Sequence, residues 1–140
     1  MALKKYTLPK EERISLKRHL DKLFEKGQSF ISYPLRVVYL CTTEEMPARA
    51  SIMVSVSKKK FKRAVKRNHI KRLVREAYRV RKYELIDPLT EKNKYMLVAF
   101  LFLDKELPSS AGIEKALSKA IRLLLEKEHL KELATETFIE

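Results

Sequence analysis

The amino-acid sequence predicts a small α/β (α+β) sandwich, in which a mixed sheet and about three helices follow in the order α-β-β-α-β-α. The chain has 140 residues, of which 45% are apolar and 35% charged, a composition that suits one globular domain with a real core. Its apolar residues switch between helical spacing and strand-like runs. The most apolar run, residues 96–103, has the length of a buried strand and is far too short for a membrane span.

The first helix is predicted after a basic N-terminal stretch. Ser15 is available as its N-cap, and Gly27 marks its C-terminal end. Between these two positions apolar side chains recur at helical spacing, namely Leu16, Leu20, Leu23 and Phe24. One side of this helix should therefore pack against the rest of the domain.

Two strands are predicted next. Residues 35–42 are rich in β-branched and aromatic side chains and follow Pro34, and a polar turn at residues 43–47 leads to a second strand at residues 51–56. We expect these two strands to form a hairpin, and the pattern leaves open a further short strand near Phe30. Apolar and small polar residues alternate in the second strand, so one face should be buried while the other has room for a ligand.

The second half of the chain predicts a helix, a strand and a helix. A long helix should run from about residue 62 to residue 83 and be followed by a loop at Pro88, and residues 95–103 should form the central strand. Ser109 or Ser110 can cap the last helix. The apolar stripe of that helix consists of Ile113, Leu117, Ala120, Ile121 and Leu124.

Residues 1–140 are predicted to form one domain with loose ends at about residues 1–12 and 134–140. The chain has a single cysteine, Cys41, inside an apolar run, which indicates a buried thiol in a reducing compartment. The sequence shows no signal-peptide pattern. We therefore expect the protein to be cytoplasmic.

The positive charge of the chain is concentrated in residues 58–82. This block holds thirteen of the thirty-one Lys and Arg residues and one acid, Glu76, and so carries +12 of a net charge of +13. The remainder is nearly neutral. A local concentration of one charge sign predicts a polyanionic partner.

The charges of this block fall on one face of the predicted helix. At about 100° per residue, an arc of roughly 140° contains Arg67, Asn68, Lys71, Arg72, Arg75, Arg79 and Lys82. The opposite arc is apolar and consists of Ile70, Leu73, Val74, Ala77 and Val80. Like charges on one arc repel one another unless an external anion compensates, so the pattern favours nucleic-acid binding over a merely solvated face. The excess of arginine favours bidentate contacts to phosphates.

Other classes of function fit the sequence less well. A membrane-binding helix would carry exposed Trp or Phe on its apolar side, and a DNA reader would need a second helix or a zipper to complete its motif. His19, His69 and His129 are scattered and the acids resemble solvent-facing charge, so we expect no catalytic residue and no metal site in the protein. Charge alone leaves open a ribosomal or other structured-RNA-binding protein.

Two motifs resemble the protein subunit of bacterial ribonuclease P. Residues 55–59 read Ser-Val-Ser-Lys-Lys, and residues 64–79 contain the Arg-Asn-His-Ile-Lys-Arg-Leu-Val-Arg pattern of that family's basic helix. A helix ending in Phe-x-x-Gly precedes them, as at residues 24–27. The resemblance covers most of residues 13–83 and implies a left-handed crossover around the basic helix, whereas the general rule would give a right-handed one. His69 departs from the family, which usually has Arg there.

The resemblance implies the partners and the RNA-binding residues. A large catalytic RNA, ribonuclease P RNA, would cleave precursor tRNA to remove its 5′ leader, with Mg²⁺ bound through that RNA and no cofactor in the protein. Neither a membrane nor DNA is an expected partner. The RNA-binding residues implied are Lys58, Lys59, Arg63, Lys66, Arg67, Asn68, His69, Lys71, Arg72, Arg75 and Arg79.

A second implied site is a cleft between the first helix and the sheet. It would hold the single-stranded 5′ leader by stacking and polar contacts. The candidate residues are Leu20, Phe24, Tyr39, Ser55 and Ser57. The family has two aromatic positions on this helix, and they fall on Leu20 and Phe24, so only Phe24 can stack in this chain.

Overall fold

The computed structural model describes residues 4–130, which form four α-helices, a short 3₁₀ helix and a four-stranded sheet. The 3₁₀ helix is Lys10–Glu12. The other elements, in chain order, are α1 Lys17–Lys26, β1 Gln28–Ser32, β2 Leu35–Thr42, β3 Ala50–Val56, α2 Ala64–Arg81, α3 Tyr83–Glu91, β4 Tyr95–Phe102 and α4 Ser110–Lys127. The mixed α/β class is confirmed. The expected loose end at about residues 134–140 lies outside the described residues.

The sheet has the order β1-β2-β4-β3. β1 and β2 form an antiparallel hairpin, β2 is antiparallel to β4, and β3 is parallel to β4. The predicted hairpin between β2 and β3 is therefore wrong, and β1 is the short strand left open near Phe30. β4 lies between β2 and β3, and it is the most apolar strand and almost entirely buried, as expected for an interior strand.

The sheet is covered on both faces. The larger core lies between the sheet and the helices α2, α3 and α4, and its side chains include Val74, Phe100 and Leu117. The smaller core lies under α1, where Leu23 packs against Val38, Leu97 and Ala99. The parallel pair β3–β4 is connected through α2 and α3. The handedness of that crossover stays a prediction.

The start of α1 differs from its prediction, and α3 is a fourth helix where about three were predicted. α1 begins one residue later than expected, with Leu16 at the N-cap position and no side-chain capping bond, so Ser15 is not its cap. Pro88 lies inside α3 rather than in a loop. Pro88 is the sixth residue of α3, so its missing amide hydrogen removes one bond inside the helix, while the buried side chains of Leu85 and Leu89 hold the helix on the core.

The last helix agrees closely with its prediction. Ser109 is the N-cap of α4, and its hydroxyl accepts a hydrogen bond of 3.0 Å from the Gly112 amide. All five residues of the predicted apolar stripe are buried.

Cys41 is partly buried, and burial raises the pKa of its thiol to about 11.

The N-terminal residues are not loose where the structure describes them. Residues 4–13, which we call the N-terminal strap, run along the C-terminal end of α2 and along α3. Arg79 donates a hydrogen bond of 2.7 Å to the Tyr6 carbonyl, and Tyr83 donates one of the same length to the Lys5 carbonyl. The prediction of a loose stretch over residues 1–12 is therefore wrong for residues 4–12.

Gly27 allows the close approach of α1 to β2. A Cβ atom at this position would clash with the Leu23 carbonyl oxygen and lie 2.8 Å from the Tyr39 carbonyl oxygen. Both obstacles are backbone atoms, which cannot move aside as a side chain can. We therefore expect Gly27→Ala to lower the free energy of unfolding by about 1–3 kcal/mol, as overpacking does, in urea unfolding monitored by circular dichroism.

Gly112 provides the matched control for this prediction. A Cβ atom there would meet only the side-chain oxygen of Ser109, at 3.0 Å, and alanine is favoured over glycine in a helix by roughly 0.5–1 kcal/mol. Gly112→Ala should thus cost much less than Gly27→Ala. Equal losses in the two variants would contradict the packing argument for Gly27.

Candidate nucleic-acid interface

The basic helix α2 is fixed to the core by four buried side chains, Ile70, Val74, Ala77 and Tyr78. The turn before it is fixed by Phe61, which is buried against Phe102 with ring centroids 5.9 Å apart. These anchors leave the opposite side of α2 on the surface. The helix therefore presents its polar face in a defined orientation.

The exposed face of α2 is rotated by about 60° from the predicted basic arc. Lys82, which the arc included, is buried with 1% exposure, whereas Val80 from the predicted apolar side is 49% exposed. The rotation arises because Tyr78 and Lys82 both turn inward. The Tyr78 ring packs near Phe100, with centroids 6.3 Å apart, and Lys82 forms an ion pair with Glu12.

Much of the predicted RNA-binding set remains on the surface. Lys66, Asn68, Arg72 and Arg75 are exposed, and Lys71 is half-buried at the margin of the face. The Nη2 atom of Arg72 lies 3.4 Å from Nδ1 of His69. Among the residues that the structure describes, no side-chain hydrogen bond or ion pair is made by Lys66, Asn68 or Arg75. These side chains are available to an external ligand.

Two arginines of the predicted set are already engaged within the protein. The Nη1 atom of Arg67 donates hydrogen bonds of 2.8 Å to the carbonyls of Phe61 and Lys62, so Arg67 supports the turn before α2. Arg79 is paired with Glu76 at 2.7 Å and also bonds the strap. The hydrogen bond from Arg79 lowers the pKa of the Glu76 carboxyl. Arg67 and Arg79 therefore also have structural roles.

A groove of about 840 Å³ runs along the exposed face of α2. Its walls combine cationic and apolar side chains with one acid, Glu76, which is paired with Arg79. From α2 they include Val65, Asn68, His69, Arg72 and Arg75; from outside α2 they are Leu8, Arg13 and Leu107. The mixture suits a ligand with charged phosphates and apolar base faces.

The connection between β3 and α2 adds further cations. Lys58, Lys59 and Arg63 are exposed there. The amide of Lys59 bonds the Ser57 hydroxyl at 3.2 Å, which orders the start of this turn. The turn therefore extends the basic surface beyond the N-terminal end of α2.

The α1 face of the sheet holds part of the second predicted site. Phe24 is 50% exposed on α1, and Leu20, about one helical turn earlier, is half-buried. Ser55 is half-buried and pairs with Leu101 of β4, whose side chain packs on the α1 side. Ser57 lies just beyond the end of β3. The structure thus places Phe24 and Ser55 on the same side of the sheet.

Tyr39 does not belong to this surface. It is 2% exposed and packs with the larger core, on the side of α2 and α4. Its hydroxyl donates a hydrogen bond of 3.0 Å to Gln28. Strand alternation explains the error, because Val38 and Leu40, the neighbours of Tyr39 in β2, are the residues that face α1.

Sequence reasoning missed three residues on these two surfaces. Arg36 and the 59% exposed Ile31 pair directly across β1 and β2 on the α1 side of the sheet. Alternation from the buried Val37 would have placed Arg36 there. Arg13 in the groove could not have been found in this way, because its position depends on the bridge that it forms with Ile52.

Within residues 4–130, no group of three or more His, Cys, Asp or Glu side chains is arranged to hold a metal ion. No helix in the same range is long and apolar enough to cross a membrane. The fold and the groove together define the class of the protein. It is a small α/β protein whose basic helix face suits a polyanion, as in nucleic-acid-binding proteins.

Comparison with known proteins identifies the family. The model of the family "Ribonuclease P" matches residues 8–124. The ribonuclease P protein component of Porphyromonas gingivalis is 46% identical over 116 residues, which cover 83% of this chain and 85% of the relative. That of Petrotoga mobilis is 40% identical over 76 residues, 54% of this chain and 61% of the relative. The chain belongs to the ribonuclease P protein family.

Solved structures agree with this assignment. The Staphylococcus aureus RNase P protein superposes with a TM-score of 0.64 at 25% identity, over 82% of this chain and 96% of that one. The Thermotoga maritima protein has the same fold, with a TM-score of 0.63 at 20% identity over 80% and 96% of the two chains. The chain is thus an accessory subunit of ribonuclease P, the endoribonuclease whose RNA is catalytic. The ribosomal alternative is not favoured.

Proposed function

We propose that the exposed face of α2 docks on ribonuclease P RNA and neutralises phosphates that would otherwise repel the substrate. The observation that carries this proposal is the groove along α2, where Arg72 and Arg75 line one wall beside Asn68 and His69. Each phosphate neutralised by such a side chain releases condensed counterions, which favours binding at low salt. Lys58 and Lys59 extend the same surface.

The substrate is precursor tRNA in this proposal, and the chemistry is that of the partner RNA. Mg²⁺ is bound through the RNA in this proposal, and protein cations reduce repulsion between RNA segments near it. The compartment in which the complex acts is the cytoplasm. Reconstitution with a bacterial ribonuclease P RNA tests the proposal: 5′ leader removal at low Mg²⁺ should become faster when the protein is added. No effect of the protein at any Mg²⁺ concentration would overturn it.

The α1 side of the sheet is proposed to hold the 5′ leader. An exposed aromatic ring at Phe24 can stack with a base, and base stacking on an aromatic side chain contributes roughly 1–3 kcal/mol. Ser55 and the missed Arg36 supply polar contacts on the same side. Leu20 adds apolar contact but cannot stack.

Phe24→Ala should weaken binding of precursor tRNA about tenfold or more, by loss of this stacking, while binding of mature tRNA should change little. The measurement is the affinity of the reconstituted complex for each of the two RNAs. Mature tRNA, which lacks the leader, is the internal control for any general damage to the complex. Equal losses with precursor and mature tRNA would remove the leader from this surface.

A further inference from the structure

The N-terminal strap, residues 4–13, is held on the protein by contacts along its whole length. At its start, Tyr83 both accepts a hydrogen bond of 3.0 Å from the Lys5 amide and donates one to the Lys5 carbonyl. The Tyr6 ring packs edge-on against Tyr83, with centroids 5.2 Å apart. Lys4 forms an ion pair with Asp87. These contacts fix the strap to α3.

The middle of the strap is held by a buried charge. Lys82 donates hydrogen bonds to the Thr7 carbonyl and, at 2.8 Å, to the Glu12 carboxylate. The Lys82 side chain is 1% exposed and that of Glu12 17% exposed. A buried lysine is tolerated only when such partners compensate its charge. The strap is therefore a required part of the fold around Lys82.

The end of the strap is fixed by the edge of the sheet. Arg13 forms a parallel bridge with Ile52 of β3, and the Ile14 amide bonds the Ile52 carbonyl at 2.8 Å. The Ser51 hydroxyl bonds the Glu11 carbonyl at 2.9 Å. The backbone of Arg13 is thus fixed, while its side chain remains exposed.

The strap borders the same groove as the basic face of α2. Leu8 packs against the core and Arg13 is exposed, and both line the groove with Arg72 and Arg75. The strap also uses one cation of α2, because Arg79 bonds the Tyr6 carbonyl. Two acids of this region are paired, Glu12 with Lys82 and Glu76 with Arg79, while Glu11 of the strap is exposed and lines the neighbouring depression. Arg13 consequently adds an exposed cation to the groove.

We propose that the N-terminal strap is a preformed wall of the RNA-binding groove and that Arg13 contacts an RNA phosphate there, together with Arg72 and Arg75. The family match begins at residue 8, so the carbonyls of Tyr6 and Thr7 that anchor the strap precede the shared region. Arg13 itself lies inside the matched region. The proposal rests on the proposed function, because it assumes that the groove binds ribonuclease P RNA.

The salt dependence of RNA binding tests the phosphate contact. The probe is a bacterial ribonuclease P RNA. Arg13→Ala should weaken its binding several-fold. The plot of log K, where K is the observed association constant, against log salt concentration should become shallower by about 0.7–0.9. Lys10→Ala is the matched control: Lys10 belongs to the same strap and shares with Arg13 the neighbouring depression beside His19 and Pro47, but it does not line the α2 groove. It should leave the slope unchanged.

Hydrogen exchange of the free full-length protein tests whether the wall is preformed. The amides of Glu12, Arg13 and Ile14 bond the carbonyls of Pro9, Lys10 and Ile52, so they should exchange slowly without RNA. Fast exchange in the free protein would overturn the preformed wall. If the wild type binds RNA but Arg13→Ala matches it in affinity and slope, the contact is refuted; if the wild type does not bind RNA, the proposed function itself fails.

Discussion

Replacing Arg72 and Arg75 together by alanine is expected to weaken binding of ribonuclease P RNA about a hundredfold at physiological salt. Both side chains are exposed in the groove, and Arg75 makes no side-chain bond among the described residues. A phosphate contact from an arginine is a charge-assisted hydrogen bond, and each lost contact costs roughly tenfold in affinity. The slope of log K against log salt should become shallower by about 1.4–1.8, the sum for two phosphates.

The control for this prediction removes the same charge from another place. Lys115 and Lys119 are exposed cations on α4, away from the α2 groove. Their double alanine variant should keep most of the affinity, because long-range attraction alone is screened within about 8 Å at physiological salt. If both double variants lost affinity equally, net charge would govern binding, and α2 would not be a docking face.

The choice of Arg72 and Arg75 follows from the structure and could not have been made from the sequence. Helical periodicity placed Arg67 and Arg79 on the same arc with equal weight. In the structure Arg67 supports the turn at Phe61 and Arg79 bonds the strap. Alanine at either position would disturb the protein as well as any RNA contact. Variants of Arg67 or Arg79 would thus be difficult to interpret.

The sequence predicted those elements whose burial is decided locally. The apolar run of β4 permits only a central strand, and the stripe of α4 permits only one buried face. Strand pairing was harder to predict from the sequence, because β2 and β3 are neighbours in the chain but both pair with β4. The side of the sheet on which Tyr39 lies could likewise not be predicted without knowing how the strands pair. Such features are set by contacts between distant residues.

The rotation of α2 is the clearest example of this limit. The sequence pattern places Lys82 among the exposed cations because lysine is rarely buried. Its burial depends on Glu12, which lies 70 positions away in the chain and reaches it only when the strap is in place. The family resemblance identified the partner RNA correctly, but it did not reveal which cations face that RNA.

Lys82→Ala is expected to lower the free energy of unfolding by about 3–5 kcal/mol, the usual cost of removing one partner of a buried ion pair. The Glu12 carboxylate, 17% exposed in the wild type, would be left without its cation, and the Thr7 carbonyl would lose its donor. The measurement is urea unfolding of the full-length protein. Lys4→Ala serves as the control: its ion pair with Asp87 is about half exposed on both sides, so stability should hardly change.

The double variant Lys82→Met with Glu12→Leu separates the two possible origins of this loss. If the cost comes from an uncompensated charge, replacing both partners by apolar side chains should recover much of the stability of the wild type. If the double variant is as unstable as Lys82→Ala, the hydrogen bond to the Thr7 carbonyl holds the strap and the ion pair contributes little. In that case the free double variant should also exchange its Glu12–Ile14 amides quickly, because the strap would have detached from α2.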